Sequence, residues 1–392
     1  MTATLFSQYR MRGLALSNRI AFGPMCQYAA TNGVASDWHI AHLGGFAISG
    51  AGLVITEATG VEPRGRISNL CLGLYSDECE LALKRVVDFC REYGSAKLGI
   101  QLAHAGRKGA ATASWMPRRP LTKEEGWWQP EAPSYIEDGV HSHPVVLDKP
   151  RIEEIKQAWV NATRRADRVG FDLIELHFAH GYLVNQFLSP LTNHRTDEYG
   201  GTREKRMRAA LEIFERCRTA WPDDKPMGVR ISAVDWVEGG WEIEDSVALA
   251  IELKKLGCDY IAASSGGSSM KQKIVAGPGY QVPFAEAIRQ RSGTATMAIG
   301  QISGARQAEE ILTGGKADLI GMVRPLVYDP RWPWHAAVEL GVHIDYPKRY
   351  RSAHPMYGPA LKFAESKEAT EAIRRIEELA AAAQRESSAR AP

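Results

Sequence analysis

His177 and His180, with Tyr182 two residues on, form the most chemically loaded stretch of the chain. Two imidazoles at this spacing can ligate a metal, provided a third ligand exists. Glu175 shares the strand face of His177 by period two and is the candidate for that place. The same imidazoles can instead donate two hydrogen bonds to one oxygen. Paired donors would polarise a carbonyl and stabilise the enolate that forms when a hydride adds to its β-carbon. Tyr182, protonated at neutral pH with an ordinary pKa of ~10, would then supply a proton. Cys26 is either an inert buried thiol or a thiol set against a redox ring, and Tyr28 either lines a pocket or packs under a loop.

These residues need elements to bring them together. Short apolar runs at 19–23, 52–56, 97–102, 172–177, 227–232, 259–264, 295–300 and 318–323 read as eight strands. Most are continuous rather than alternating, as expected of parallel strands covered on both faces. Amphipathic stretches lie between them at 77–92, 151–169, 203–221, 243–256, 283–291 and 303–313. In the first of these Leu81, Val86 and Phe89 are expected on the buried face. Glycines 170, 257 and 314 read as helix stops. Eight repeats of strand and helix predict an α/β fold, a single-domain (β/α)8 TIM barrel. The rival doubly wound sheet usually has a glycine-rich turn after its first strand, and Gly23-Pro24-Met25-Cys26 is not one. Residues 110–150, with Trp115, Trp127, Trp128 and prolines that include Pro117, Pro120, Pro130, Pro133 and Pro144, read as a long loop over the barrel mouth or a surface excursion packed by its own aromatics. Residues 360–392, rich in Ala, Glu and Arg, read as a terminal helix.

The active site of such a barrel lies at the C-terminal strand ends. There the sequence places Gln101, His177, Arg230, Gly300 and Arg324, among others, around one pocket. Gly300 would let the backbone approach a phosphate, and Arg324 would pair with it. A cofactor with a phosphate tail and a redox ring fits, flavin mononucleotide (FMN) or pyridoxal phosphate. The latter needs a strand-end lysine, which the expected ends do not offer.

The 392 residues carry 48 basic and 46 acidic side chains, a formal charge of +2, which gives no footprint for nucleic acid. With 44% hydrophobic and 24% charged residues the usage is that of an ordinary globular protein. No apolar run reaches membrane-spanning length, and the N-terminal stretch lacks the core of a secretory signal, so a cytoplasmic protein is expected. Six cysteines without a C-x-x-C pair argue against structural zinc and iron–sulfur sites.

Longer motifs extend the reading. LSNRIAFGPMCQY (16–28), ITEATGVEPRGRIS (55–68), LGIQLAHAGRKG (98–109), HFAHGYLVNQFLSPLTNHRTDEYGG (177–201), VRIS (229–232), SSGG (264–267), GPGYQVPFAE (277–286) and AIGQI (298–302) resemble the Old Yellow Enzyme family of flavin-dependent ene-reductases. The likeness is to its thermophilic-like branch, which includes the xenobiotic reductases, and spans about residues 5–345. The resemblance implies an FMN-binding barrel over 1–345 and a C-terminal extension over 346–392 at a subunit interface. It implies that Pro24, Met25, Cys26, Ala58, Gln101 and Arg230 contact the flavin ring. Gly300, Gln301, Val323 and Arg324 would bind the phosphate, with Ser265 and Gly266 along the ribityl chain. His177 and His180 would hold the substrate, Tyr182 would protonate it, and Cys26 and Tyr28 would shape its pocket. NADPH or NADH would be the hydride donor, a small activated alkene the acceptor, and a homodimer or homotetramer the assembly. No metal is implied. The strand 8 segment GMVRPLVYDP resembles instead the larger flavin/iron–sulfur relatives, whose cysteine cluster after the barrel has no counterpart beyond Cys258. Arg349 or Arg351 is implied as a residue reaching a neighbouring subunit's site.

Overall fold

Runs of residues buried on both sides close into a barrel. The computed structural model describes residues 3–353 together with Glu371, Arg374 and Glu378. Its barrel strands are β1 (Ile20–Phe22), β2 (Leu53–Gly60), β3 (Lys97–Ala103), β4 (Leu173–Phe178), β5 (Met227–Ser232), β6 (Tyr260–Ser264), β7 (Thr296–Ala298) and β8 (Leu319–Met322). They are parallel, neighbours in sequence order, and the ring closes where Met322 of β8 pairs with Phe22 of β1. β1, β2, β4, β6, β7 and β8 are buried throughout, which is why they read as unbroken apolar runs. β2 runs four residues past its expected end, through a register shift between Ile55 and Ala58. That irregularity moves Glu57 out of the ladder, where its Oε2 accepts from the Gln27 backbone N–H.

The outer helices are α1 (Asp37–Ala47), α2 (Asp77–Tyr93), α3 (Lys149–Val169), α4 (Arg203–Ala220), α5 (Ile243–Lys255), α6 (Val282–Ser292), α7 (Ala305–Thr313) and α8 (Trp332–Glu339). α1 was not anticipated: the Gly44–Gly45 pair breaks its pattern, but a capping box of Ser36 and His39 starts it. In α2 the expected face holds at Val86 but not at Leu81 or Phe89. Cys79, Leu83, Val86, Val87 and Cys90 are buried, whereas Leu81 is 69% exposed and Phe89 partly so. The helix begins at the Ser76 cap, and the 3.6 period counted from Cys79 turns Leu81 outward. α7 stops at Thr313 with Gly314 as its cap, as expected, and the left-handed residue is the next one, Gly315. A hairpin absent from the sequence reading (Tyr9–Met11 with Leu14–Leu16) packs Met11, Leu14 and Leu16 against Leu53, Leu173, Tyr260 and Leu319, closing the bottom of the barrel.

The 110–150 segment is pinned by its own polar atoms. Glu131–Ala132 pairs with Val145–Val146. Trp127 Nε1 donates to Ser142 Oγ at 3.0 Å, and Trp128 Nε1 to the Arg64 carbonyl at 3.0 Å. The chain divides into two units, Met1–Ile344 and Asp345–Pro392. In the second, Arg349 and Arg351 lie in the 3-10 helix Lys348–Ala353, and Arg374 pairs with Glu378 at 3.2 Å. Most of the helix expected over 360–392 lies outside the described residues.

Candidate active site

The register of the barrel sets the site in two layers. In the lower one Ala58 pairs with Gln101 and Gln101 with Glu175; in the upper one His177 pairs with Arg230 and Arg230 with Ala262. Glu175 is fully buried, and its two oxygens accept from Gln101 Nε2 at 2.7 Å and Tyr260 Oη at 2.9 Å. Burial pushes its carboxyl up, and the Arg230 charge pulls it back. Burial likewise pushes Arg230 down against the opposing charge of Glu175. Arg230 Nε, buried, has no protein hydrogen-bond partner. A buried polar atom left in this state costs free energy on the order of 1–3 kcal/mol unless a ligand takes it up.

Beyond this floor a cleft of about 580 Å³ opens at the strand ends, within the ~300–1,000 Å³ range of cofactor pockets. Of the expected cofactor residues it brings together Pro24, Arg230, Gly300, Gln301, Val323 and Arg324. Gly300 has φ +105°, and a Cβ there would meet Gln281 Oε1 at 2.8 Å. Gln281 in turn donates to Ser265 Oγ at 2.7 Å. Ser265 and Gly266 are not among the residues lining the cleft. Ser264 is, because the alternation along β6 turns its neighbour away. Cys26 and Tyr28 pack beside Ala58 and Cys71, with Tyr182 on the same cluster. The Cys26 thiol is pushed up by its hydrogen bond to Cys71 and by burial, so it is not a thiolate. The Met25 carbonyl accepts from Gln27 Nε2 at 2.9 Å, fixing the segment between β1 and Tyr28.

His177, His180 and Tyr182 meet above β4. The rings of His177 and His180 are 5.1 Å apart, and those of His177 and Tyr182 are 5.0 Å apart. His180 and Gly181 both adopt left-handed backbone, at φ 61° and 70°. That turn is held from three sides. The His180 N–H donates to Ser232 Oγ at 2.8 Å and the Gly181 N–H to Asn185 Oδ1 at 2.6 Å. Lys108 Nζ donates to the carbonyls of His180 (2.7 Å) and Gly267 (2.5 Å). Burial and the nearby Arg230 push both imidazoles well below the usual histidine range, so both are neutral. Burial pushes the Tyr182 phenol well up, keeping its proton. His180 Nε2 lies 2.7 Å from Ser264 Oγ, which also accepts from Gln281 Nε2 at 3.3 Å. The hydroxyl can donate to Nε2 or accept from it, so the serine engages this nitrogen of the ring in either tautomer.

The metal reading finds no support in this geometry. Among the described residues the grouping able to hold a cation is Glu62, His104 and Glu131. Arg151 bonds both of those carboxylates, so a guanidinium already fills the place. Ser264, Gln281, Tyr260 and Lys108 were not assigned from sequence. Lys108 and Gln281 stand inside the matched motifs, but their roles depend on contacts outside their own motifs, 72 residues along the chain for Lys108 and 17 for Gln281.

Comparison with known proteins agrees with this architecture. The sequence profile of the NADH:flavin oxidoreductase / NADH oxidase family matches residues 4–341. The chain is 44% identical over 353 residues to an NADPH dehydrogenase of Geobacillus sp., covering 89% of this chain and 98% of that one. It is 44% identical over 355 residues to an NADPH dehydrogenase of Halalkalibacterium halodurans, covering 90% and 99%. Among solved structures it superposes on morphinone reductase with a TM-score of 0.72 at 28% identity, over 89% and 92% of the two chains. An Old Yellow Enzyme homologue from Zymomonas mobilis shares the fold at a TM-score of 0.72 and 22% identity, over 91% and 99%. With an eight-stranded barrel, a cationic cleft and a profile match over most of its length, the chain belongs to the NADH:flavin oxidoreductase / NADH oxidase family and is a flavin-dependent oxidoreductase of the Old Yellow Enzyme type.

Proposed function

We propose that the chain is an FMN-dependent ene-reductase that takes reducing equivalents from NADPH or NADH and passes them to activated C=C bonds, in enones, maleimides or nitro-compounds. The observation that carries this reading is the stack at the strand ends: an orphaned guanidinium below, two neutral imidazoles beside it and a protonated phenol above. The relatives named NADPH dehydrogenase support a nicotinamide donor.

The residues present fit FMN. Arg230 Nε lacks a protein partner, and Gly300, packed against Gln281, puts bare backbone with no side chain at the cleft. Bound FMN supplies the hydride-transfer chemistry that no side chain of this chain can perform. Arg230 would hold the electron-rich edge of the ring and stabilise negative charge there. Gln101, whose amide nitrogen is committed to Glu175, would present its carbonyl oxygen. Pro24, Met25, Cys26 and Ala58 would border the ring. Gly300, Gln301, Val323 and Arg324 would hold the phosphate, and Ser264 replaces Ser265 as the serine facing the cleft.

His177 and His180 would orient the substrate oxygen, each neutral ring keeping one N–H with which to donate. Tyr182 Oη would deliver a proton to the α-carbon. Cys26 and Tyr28, packed with Tyr182, would bound the pocket. The test is the visible absorption spectrum of the purified protein under anaerobic conditions. A flavin spectrum that bleaches with NADPH and returns with cyclohexenone is expected. A protein that stays colourless after added FMN, or a bleached flavin that no enone restores, overturns the reading.

A further inference from the structure

The long loop after β3 brings a cation to the pocket without a counter-charge. Trp115 sets its ring edge-on to Tyr28, with centroids 5.3 Å apart at 89°, so this part of the loop stands beside the proposed substrate pocket. Three residues on, Arg118 donates through Nε (3.1 Å) and Nη2 (2.8 Å) to His141 Nε2. His141 Nδ1 bonds Asp138 at 2.7 Å, Asp138 accepts from Arg107 Nη1 at 2.7 Å, and Arg107 Nη2 donates to the Ser268 carbonyl at 2.6 Å. This relay ties the arginine to the loop after β6.

The charges along the relay do not balance. Arg107 and Arg118 stand against one carboxylate, Asp138, whose contacts go to Arg107 and His141. Burial lowers His141 to about 4, so at neutral pH it accepts from Arg118 as a neutral ring. Among the described residues Arg118 has no carboxylate within ion-pair distance, whereas the adjacent Arg119 pairs with Glu125 at 2.7 Å. The field of Arg118 reaches the phenols of both Tyr28 and Tyr182. A guanidinium held in place by two bonds to a fixed imidazole has already lost much of the freedom that binding would cost it. Its remaining N–H groups form a planar fork suited to a carboxylate.

We propose that Arg118 is a specificity residue that binds a carboxylate carried by the alkene substrate at the end away from the reacting bond. This rests on the ene-reductase reading and adds the substrate class, an anionic enone or enal.

The test compares para-carboxycinnamaldehyde, ionised at neutral pH, with its methyl ester, which lacks the charge and is the more activated alkene, in the holoenzyme. The acid is expected to show a kcat/KM about tenfold above the ester, the scale of one hydrogen bond to a charged group. The preference should be largest at an ionic strength of ~10 mM and shrink as salt is added. Arg118→Met, checked to retain its flavin spectrum, should abolish the preference, and Arg118→Lys should keep part of it. An acid no better than its ester, or a preference that persists in Arg118→Met, overturns the assignment. If neither aldehyde reoxidises reduced enzyme, the ene-reductase reading itself falls and takes this inference with it.

Discussion

A neutral imidazole is a useful donor only in the correct tautomer, and here a serine from a different strand bonds one of its two nitrogens. Ser264→Ala removes the group facing His180 Nε2 and frees the ring to place its proton on either nitrogen. Phenol, an oxygen ligand read by its long-wavelength absorption with the flavin, should then bind several-fold more weakly while FMN stays bound; unchanged affinity would remove the tautomer argument. His177→Ala should weaken phenol by about tenfold or more, the scale of one hydrogen bond to a charged oxygen. Loss of FMN in that variant would mean the histidine had been misassigned. Tyr182→Phe should slow reoxidation by an enone by about a hundredfold, a typical general-acid contribution, with little effect on reduction by NADPH. Equal slowing of both stages would count against a proton donor. His177, His180 and Tyr182 were legible because all three come from one stretch whose spacing is visible. Ser264 and Tyr260 were not, because what matters about them is which side of β6 faces β4 and the cleft, and neighbouring residues there look alike in sequence.

The strands were legible as elements because burial on both faces leaves an unbroken apolar run, and their expected centres all fall inside observed strands. The helices were less so. α1 contains a Gly-Gly pair, and the apolar residues of α2 fit two faces until the cap fixes the phase. The junction between the loops after β4 and β6 was invisible, since it is made of backbone. Gly267, at φ +99°, would put a Cβ 2.4 Å from the His180 carbonyl carbon, and a Cβ on Gly181 would meet the Gly267 oxygen at 2.1 Å. Gly267→Ala must therefore push the two loops apart. The expected result is loss of phenol affinity with flavin binding retained, because the phosphate end of the cleft lies on β7 and β8. A variant that binds phenol normally would show that the junction does not position His180.

At the scale of the molecule, protonation opposes the fold across two pH windows. Burial lowers His42 and His141 to about 4, and His177 and His180 also stay neutral when folded. In the unfolded chain a histidine takes its proton near ~6.5. From there down to about 4 the unfolded state binds more protons, so stability falls as pH falls. Glu62 and Asp138 extend the fall. Both are half-buried, which alone would raise them, yet bonds and charges from His104 and Arg151, and from His141 and nearby backbone N–H groups, hold each at about 2. Their stabilisation is lost between the ordinary carboxylate range of ~4 and about 2. The melting temperature with excess FMN should drop between pH 7 and pH 5, and His141→Gln should flatten part of that slope. A melting temperature level over this interval would show that the histidines do not resist protonation.

The closure of β8 onto β1 also bears on how the chain is made. Gly23 and Pro24 line the cleft side by side with Val323 and Arg324, about three hundred residues away in the chain. On the ribosome the first pair emerges long before the second, so the cleft is not complete until nearly the whole barrel has been translated. The cofactor would thus be a late arrival that seals a finished ring rather than a template for the nascent chain. A message truncated before β8 would yield a polypeptide with an open sheet edge and no pocket, and co-expressing the missing segment as a separate peptide is the route by which colour could return.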